Sequence, residues 1–210
     1  MEDRILSAAR EQLVTVGAAA LSLREIARSL GVVSSAVYRY VNSRDELLTR
    51  LLIDAYDDLA CDVDAAVDSA GSSREALGAL ARALRSWARA QPERWALIYG
   101  SPVPGYAAPS ERTNPPATRV IARLVQIAAA GDARRSAPTG AYAHFLAEGL
   151  RDLGVECSVV QGSAAVEAWS SIVGAVSGEV FGQLGVVDDE VGASILDDVV
   201  AGQAERMGLV

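Results

Sequence analysis

Three helix starts and two sharp stops fall between Ser22 and Leu48. Ser22 precedes an apolar set, Leu23, Ile26, Ala27 and Leu30, spaced i, i+3, i+4, i+7, which is the period of a helix with one buried face. Glu25 stands three residues after Ser22. Hydroxyl and carboxylate are thereby placed to satisfy two backbone donors that a first helical turn leaves open. Gly31 follows the last apolar position, where a left-handed residue closes a helix. A second short helix is expected from Ser34, with Val37 and Val41 inward and Tyr38, Arg39 and Tyr40 spread around it. Ser43, Arg44, Asp45 and Glu46 repeat the capping pattern and open a long helix at Leu47. Two short helices joined by a glycine-containing turn, the second carrying hydroxyls, phenols and a guanidinium, have the form of a helix-turn-helix.

The rest of the chain reads as helix around this stretch. Glu2 to Val16 places Ile5, Leu6, Ala9, Leu13 and Val16 on one side and stops at Gly17. The fourth helix runs from Arg44 towards Asp68 with a leucine-rich stripe; Asp54, Asp57, Asp58, Asp62, Asp64 and Asp68 form a face read as solvated. A fifth helix starts at Ser72 or Ser73, and a short one spans Glu93 to Gly100. The proline-rich run from Ser101 to Pro109 cannot be regular structure. Pro115 and Pro116 are expected to restart a helix that continues to Ala130, since proline is tolerated in a first turn. A loop with Arg134 and Arg135 leads to a helix from Thr139 to Leu153. Two more are expected, Ser163 to Leu184 and Asp189 to Met207. Gly174, Gly178 and Gly182 recur every four residues in the first of these. Each costs about 1 kcal/mol against alanine inside a helix. A flat strip for close packing would offset that, either within one subunit or against a second copy, with Ile195 on the neighbouring helix.

Composition limits the functions open to such a chain. Half of the 210 residues are apolar and 22% are charged, as in a folded protein. All nineteen basic residues are arginine. Without lysine there is no phosphate-loop lysine, no Schiff base and no Ser-Lys dyad. The single histidine, His144, cannot make a paired-histidine metal site, and no Gly-x-Ser-x-Gly elbow accompanies it. A packed or pocket-lining imidazole is the expected role. No enzyme activity, metal or cofactor is therefore expected. Cys61 and Cys157 follow no metal or redox spacing and read as buried thiols. The N-terminus shows no targeting pattern, and the longest uncharged window, Trp95 to Ser110, is broken by prolines. A cytoplasmic protein with no membrane association is expected.

Net charge is −8, unfavourable at first sight for a nucleic-acid partner. Its distribution matters more. Seven arginines face six acids in residues 1–50, whereas twelve face twenty-one in residues 51–210. A neutral-to-basic head on an acidic body lets only the head approach phosphates.

The motif residues then carry a resemblance. Ser22-Leu-Arg-Glu-Ile-Ala27, Gly31-Val32, Val37-Tyr38-Arg39-Tyr40 and Ser43-Arg44-Asp45-Glu46-Leu47-Leu48 resemble, without gaps, the DNA-binding domain of tetracycline-repressor-type regulators. Val41 and Arg44 stand where the family commonly has phenylalanine and lysine. The run from Pro92 to Pro102, with Trp95, Leu97 and Gly100, resembles a WHG-type subgroup of the family's ligand-binding domain. The resemblance implies an all-α protein, with a DNA-binding domain at residues 1–46 and a helical ligand-binding and dimerisation domain at 47–210.

It further implies a homodimer bound to a double-stranded operator and released by a small-molecule effector. Ser34, Ser35 and Ala36 would enter the major groove, and Tyr38, Tyr40 and Arg44 would touch phosphates. Ser22 and Arg24 would fasten the first motif helix to the backbone, and Arg39 would read a guanine edge. Tyr38 as half-buried core, Ser34 as a cap and Arg39 as a solvated charge remain open alternatives. The family's pocket lies between its fourth and eighth helices. Trp87, Trp95, Tyr99, Tyr142, Phe145 and Trp169 are the candidate lining, and their character favours a hydrophobic or aromatic effector. An architectural or activating DNA-binding protein without an effector is the alternative, and carboxylate-based catalysis a remote one.

Overall fold

A computed structural model describes residues 1–133 and 135–210, so Arg134 of the expected loop lies outside the described residues. Among the described residues eleven α-helices follow in chain order: α1 (Glu2–Val16), α2 (Leu23–Ser29), α3 (Ser34–Tyr38), α4 (Arg44–Asp68), α5 (Ser73–Ala90), α6 (Pro92–Tyr99), α7 (Ser110–Ala117), α8 (Arg119–Ala129), α9 (Gly140–Leu153), α10 (Val159–Val180) and α11 (Asp189–Met207). A 3-10 turn, Ala18–Ala20, joins α1 to α2. Among the described residues there is no strand.

Contacts divide the chain into two compact units, Met1–Asp58 with Gln91–Ala117, and Leu59–Ala90 with Thr118–Val210. The first does not stop at residue 46. Leu97, Val103 and Tyr106 pack on the core built by Ile5, Leu13, Ile26, Val37, Val41 and Leu47. All three are partly buried, so each contributes a part of the about 1.5–3 kcal/mol that full burial of such a side chain gives, and the segment after α5 belongs with the head. Tyr106 also shares a hydrogen bond of 2.9 Å with the Thr49 hydroxyl.

Ion pairs reinforce this unit. The Asp54 carboxylate accepts from Arg10 Nε at 2.9 Å and from Arg94 Nη2 at 3.0 Å, while Arg94 Nη1 donates to Asp58 at 2.6 Å. Glu46 accepts from Arg50 Nε at 2.7 Å and from Arg112 Nη1 at 2.6 Å. Arg50 reaches Glu2 as well. The acidic face of α4 is thus a pairing rail as well as a solvated surface.

In the second unit α10 packs against α5, α8, α9 and α11. Leu77, Leu80, Leu84, Leu124, Ala168 and Ile172 are fully buried there. The α4 acids of this unit are paired too, Asp64 with Arg119 at 3.0 Å and with Arg123 at 3.3 Å. Arg85, almost buried, donates to both oxygens of Glu179 at 2.7 Å and to the Asp189 carboxylate at 2.8 Å. That fork lies over Gly192, where a Cβ would sit 2.6 Å from Glu179 Oε1 and 2.7 Å from Arg85 Nη2. By length and composition α10 could cross a membrane; here its apolar surface serves packing among four helices.

Two helices differ from expectation. Pro115 and Pro116 lie inside α7, not at the start of a long helix, and a fresh helix begins at Arg119. Proline removes a ladder N–H, which limits α7 to little more than two turns. α10 starts earlier and ends earlier than predicted. Ser158 and Gln161 form a complete capping box, and Gln161 Nε2 also donates to the carbonyls of Ala129 and Gly131 at 2.9 Å, closing α8.

At its other end, Gly182 adopts φ 69° and sends its N–H to Glu179 O, while Gln183 N–H returns to Gly178 O. This paired closure stops the helix. The three glycines therefore do not share one helix: Gly182 lies beyond its end, a Cβ on Gly178 would meet Leu184 of the same chain at 3.3 Å, and a Cβ on Gly174 or Gly182 would meet nothing within 4 Å.

Candidate nucleic-acid interface and ligand cavity

The head is held from below and presents its second short helix outward. Val37 and Val41 are fully buried, which turns α3 so that Ser35, Tyr38, Arg39 and Tyr40 are exposed and Ser34 and Ala36 half-buried. Tyr38 is 43% and Tyr40 45% exposed, more than half-buried core phenols would be. Val33, not Ser34, occupies the cap position of α3, with no side-chain cap bond. α2 ends on Gly31 at φ 66°, with Gly31 N–H on Arg28 O and Val32 N–H on Ala27 O, the same closure as at Gly182.

The capping residues behave differently from the reciprocal pattern. Glu25 N–H donates to Ser22 Oγ at 3.4 Å, but the Ser22 N–H goes to Gln12 Oε1 at 2.7 Å and the Glu25 carboxylate pairs with Arg28. At the start of α4, Glu46 N–H donates to Ser43 Oγ at 3.0 Å while the Glu46 carboxylate serves its arginines. Those arginines hold its pKa down at about 2, against 4.5 for a free glutamate. In each case a stronger charged acceptor or donor nearby takes the glutamate.

Arg44 is also engaged. Its Nη2 donates to the carbonyls of Ala18 and Ala19 at 3.0 and 2.8 Å, closing the turn between α1 and α2. A guanidinium has five donors, so others remain for a phosphate. Arg24 and Arg39 are exposed and hold no carboxylate among the described residues. The exposed residues of α2, α3 and the turn after α3 thus include the guanidinium groups of Arg24 and Arg39, the phenols of Tyr38 and Tyr40 and the hydroxyl of Ser35, with Ser34 half-buried beside it.

The candidate pocket residues are divided between the two units. Trp95 is fully buried in the first unit with its ring 4.4 Å from that of Tyr99. Burial raises the Tyr99 phenol far above its ordinary range. Trp87 is core of the second unit and Tyr142 is exposed. Phe145 and Trp169 alone of the six line a cavity of about 180 Å³ between α8, α9 and α10. His144 neither packs nor lines it; three-quarters exposed, it pairs with Glu148 at 3.3 Å. Cys61 is exposed and Cys157 half-buried, both free. The expectation of buried thiols fails at Cys61 because that position of α4 turns outward.

These observations meet two family models. One, described as bacterial regulatory proteins of the tetR family, matches residues 5–51; the other, a tetracyclin repressor-like C-terminal domain, matches residues 77–201. The chain belongs to the tetR family. It is 50% identical over 195 residues to the HTH-type transcriptional regulator Rv1816 of Mycobacterium tuberculosis, covering 88% of this chain and 82% of that protein. The HTH-type transcriptional regulator Mb1846 of Mycobacterium bovis matches equally. The crystal structure of the putative regulatory protein SCO4313 superposes with TM-score 0.78 at 35% identity, covering 95% of each chain. FadR from Bacillus subtilis, solved in complex with stearoyl-CoA, shares the fold with TM-score 0.63 at 12% identity, covering 98% of this chain and 99% of that one.

This tetR-family chain is a DNA-binding transcriptional regulator. Sequence reasoning missed three parts of its head: Gln12, the clasp of Arg44 on Ala18 and Ala19, and the return of Leu97, Val103 and Tyr106. Nothing local marks Gln12, since its partner lies ten residues on, across a turn. The apolar spacing of Val103 and Tyr106 inside a proline-rich run was the only available signal for the third.

Proposed function

We propose that this tetR-family regulator is a repressor that binds a near-palindromic operator as a homodimer and leaves it when a small hydrophobic effector binds. The observation that carries the reading is the outward display of Ser35 and Tyr38 on α3 and of Arg39 and Tyr40 in the turn that follows it, anchored by fully buried Val37 and Val41. Ser34, Ser35 and Ala36 meet the groove, Arg39 reads a base edge, and Tyr38, Tyr40, Arg44, Arg24 and Ser22 meet the backbone. Two heads about 34 Å apart on a two-fold axis read two half-sites. Pairing through α10 and α11, around Gly174 and Ile195, would supply that axis. An effector shifts the equilibrium only as far as its affinities for the two states differ. The role is regulatory, not catalytic, needs no cofactor and is exercised in the cytoplasm.

Selection of bound duplexes from random DNA by purified protein, followed by footprinting, tests this. A discrete palindrome protected on both half-sites is expected. Uniform coating of any duplex would favour the architectural alternative instead.

A further inference from the structure

The cavity between α8, α9 and α10 is built only from helix faces of the second unit. Its walls include Leu124 from α8, Phe145, Gly149 and Leu150 from α9, and Gly162 and Trp169 from α10. No charged side chain and no hydroxyl, amide or carboxyl side chain lines it. Two glycines shape it. A Cβ on Gly149 would meet nothing within 4 Å, so the missing side chain is part of the void. A Cβ on Gly162 would sit 3.0 Å from Leu150 Cδ1, so that leucine lies directly on bare α10 backbone. At the rim Phe145 is 65% exposed and Val166 37%, leaving the opening bordered by apolar groups.

We propose that this cavity is a binding site for small, uncharged, apolar molecules of about one aromatic ring with a short alkyl substituent. Its volume, about 180 Å³, is close to that of apolar cavities that stay dry and take up benzene. A charged head group would enter without a partner, at a large desolvation cost. The size and the lining therefore exclude carboxylates and long acyl chains from full burial. The site is lined in part by α9 and involves neither Trp95 nor Tyr99. Its regulatory meaning, though not its occupancy, rests on the effector-released reading above.

The test is titration of the full-length protein with toluene and with benzoate by calorimetry, alongside operator affinity by anisotropy, for wild type, Gly149→Ala and Gly149→Leu. Toluene is expected to bind wild type at least tenfold more tightly than benzoate, and affinity should fall stepwise from Gly to Ala to Leu, with at least a tenfold loss for Leu. Both substitutions replace helical glycine without a close neighbour, so thermal midpoints should hold or rise and separate filling from misfolding. Equal affinity in all three variants, or no toluene binding to wild type, overturns the site. Toluene binding that is lost in Gly149→Leu while wild-type operator affinity stays unchanged by toluene supports the site and removes this ligand class as the releasing effector.

Discussion

Arg39 and Arg44 are the same residue type five positions apart, yet their surroundings assign them different chemistry. Arg39 projects from α3 with no carboxylate partner among the described residues, so Arg39→Ala should relax preference at one base position in a binding selection, at a cost of about 1–3 kcal/mol on the best site. Arg44 holds the Ala18 and Ala19 carbonyls. Arg44→Ala should therefore lower thermal stability by about 1 kcal/mol as well as weaken binding to all sequences. Tyr38→Phe removes only the ring hydroxyl and should weaken binding uniformly with the melting midpoint unchanged; a selective loss at one base would reverse these roles. Gly192→Ala pushes a methyl into the Arg85–Glu179 fork and should destabilise by about 1–3 kcal/mol in a denaturant titration. Arg39 was recognisable from its place in the motif. The tasks of Arg44 and Gly192 were not, because each depends on atoms far along the chain.

Helices are joined here by charge as much as by apolar stripes. Glu46 of α4 links Arg50 and, through Arg112, α7, and its depressed pKa makes that linkage acid-sensitive. The stabilisation is fully present above about pH 4.5 and is lost as pH falls towards about 2. Glu46→Gln should remove about 1 kcal/mol at pH 7, screening discounted, and flatten the loss of stability across that window. A wild-type profile no steeper than the variant's would rule out this pair. Most helix boundaries were legible because caps act over three or four residues: Ser22, Gly31, Ser43 and Ser72 all sit at or beside true ends. Where a local rule named two tasks for one side chain, tertiary partners chose between them, as Arg28 did for Glu25 and Arg112 for Glu46. At Gly178 the nearest neighbour is intrachain, Leu184. Gly178→Leu should strike Leu184 and destabilise the second unit by about 1–3 kcal/mol, visible in a melt at concentrations where subunit pairing does not vary.

At the scale of the whole molecule, the operator-binding proposal needs two copies. Ile195→Asp on α11 should reduce dimerisation in sedimentation and weaken operator binding more than half-site binding; an intact dimer would move the pairing surface elsewhere. The all-helical class and most helix starts and stops followed from sequence alone. Helix starts, stops and apolar periods are set by interactions within one or two turns, and a linear string records them completely. Only the tertiary structure decided that Leu97, Val103 and Tyr106 complete the head, that the acids of α4 bind arginines from four other helices, and that Phe145 and Trp169 border a void. Those outcomes depend on which distant surfaces meet and on the space left between them, and helical spacing carries no information about either.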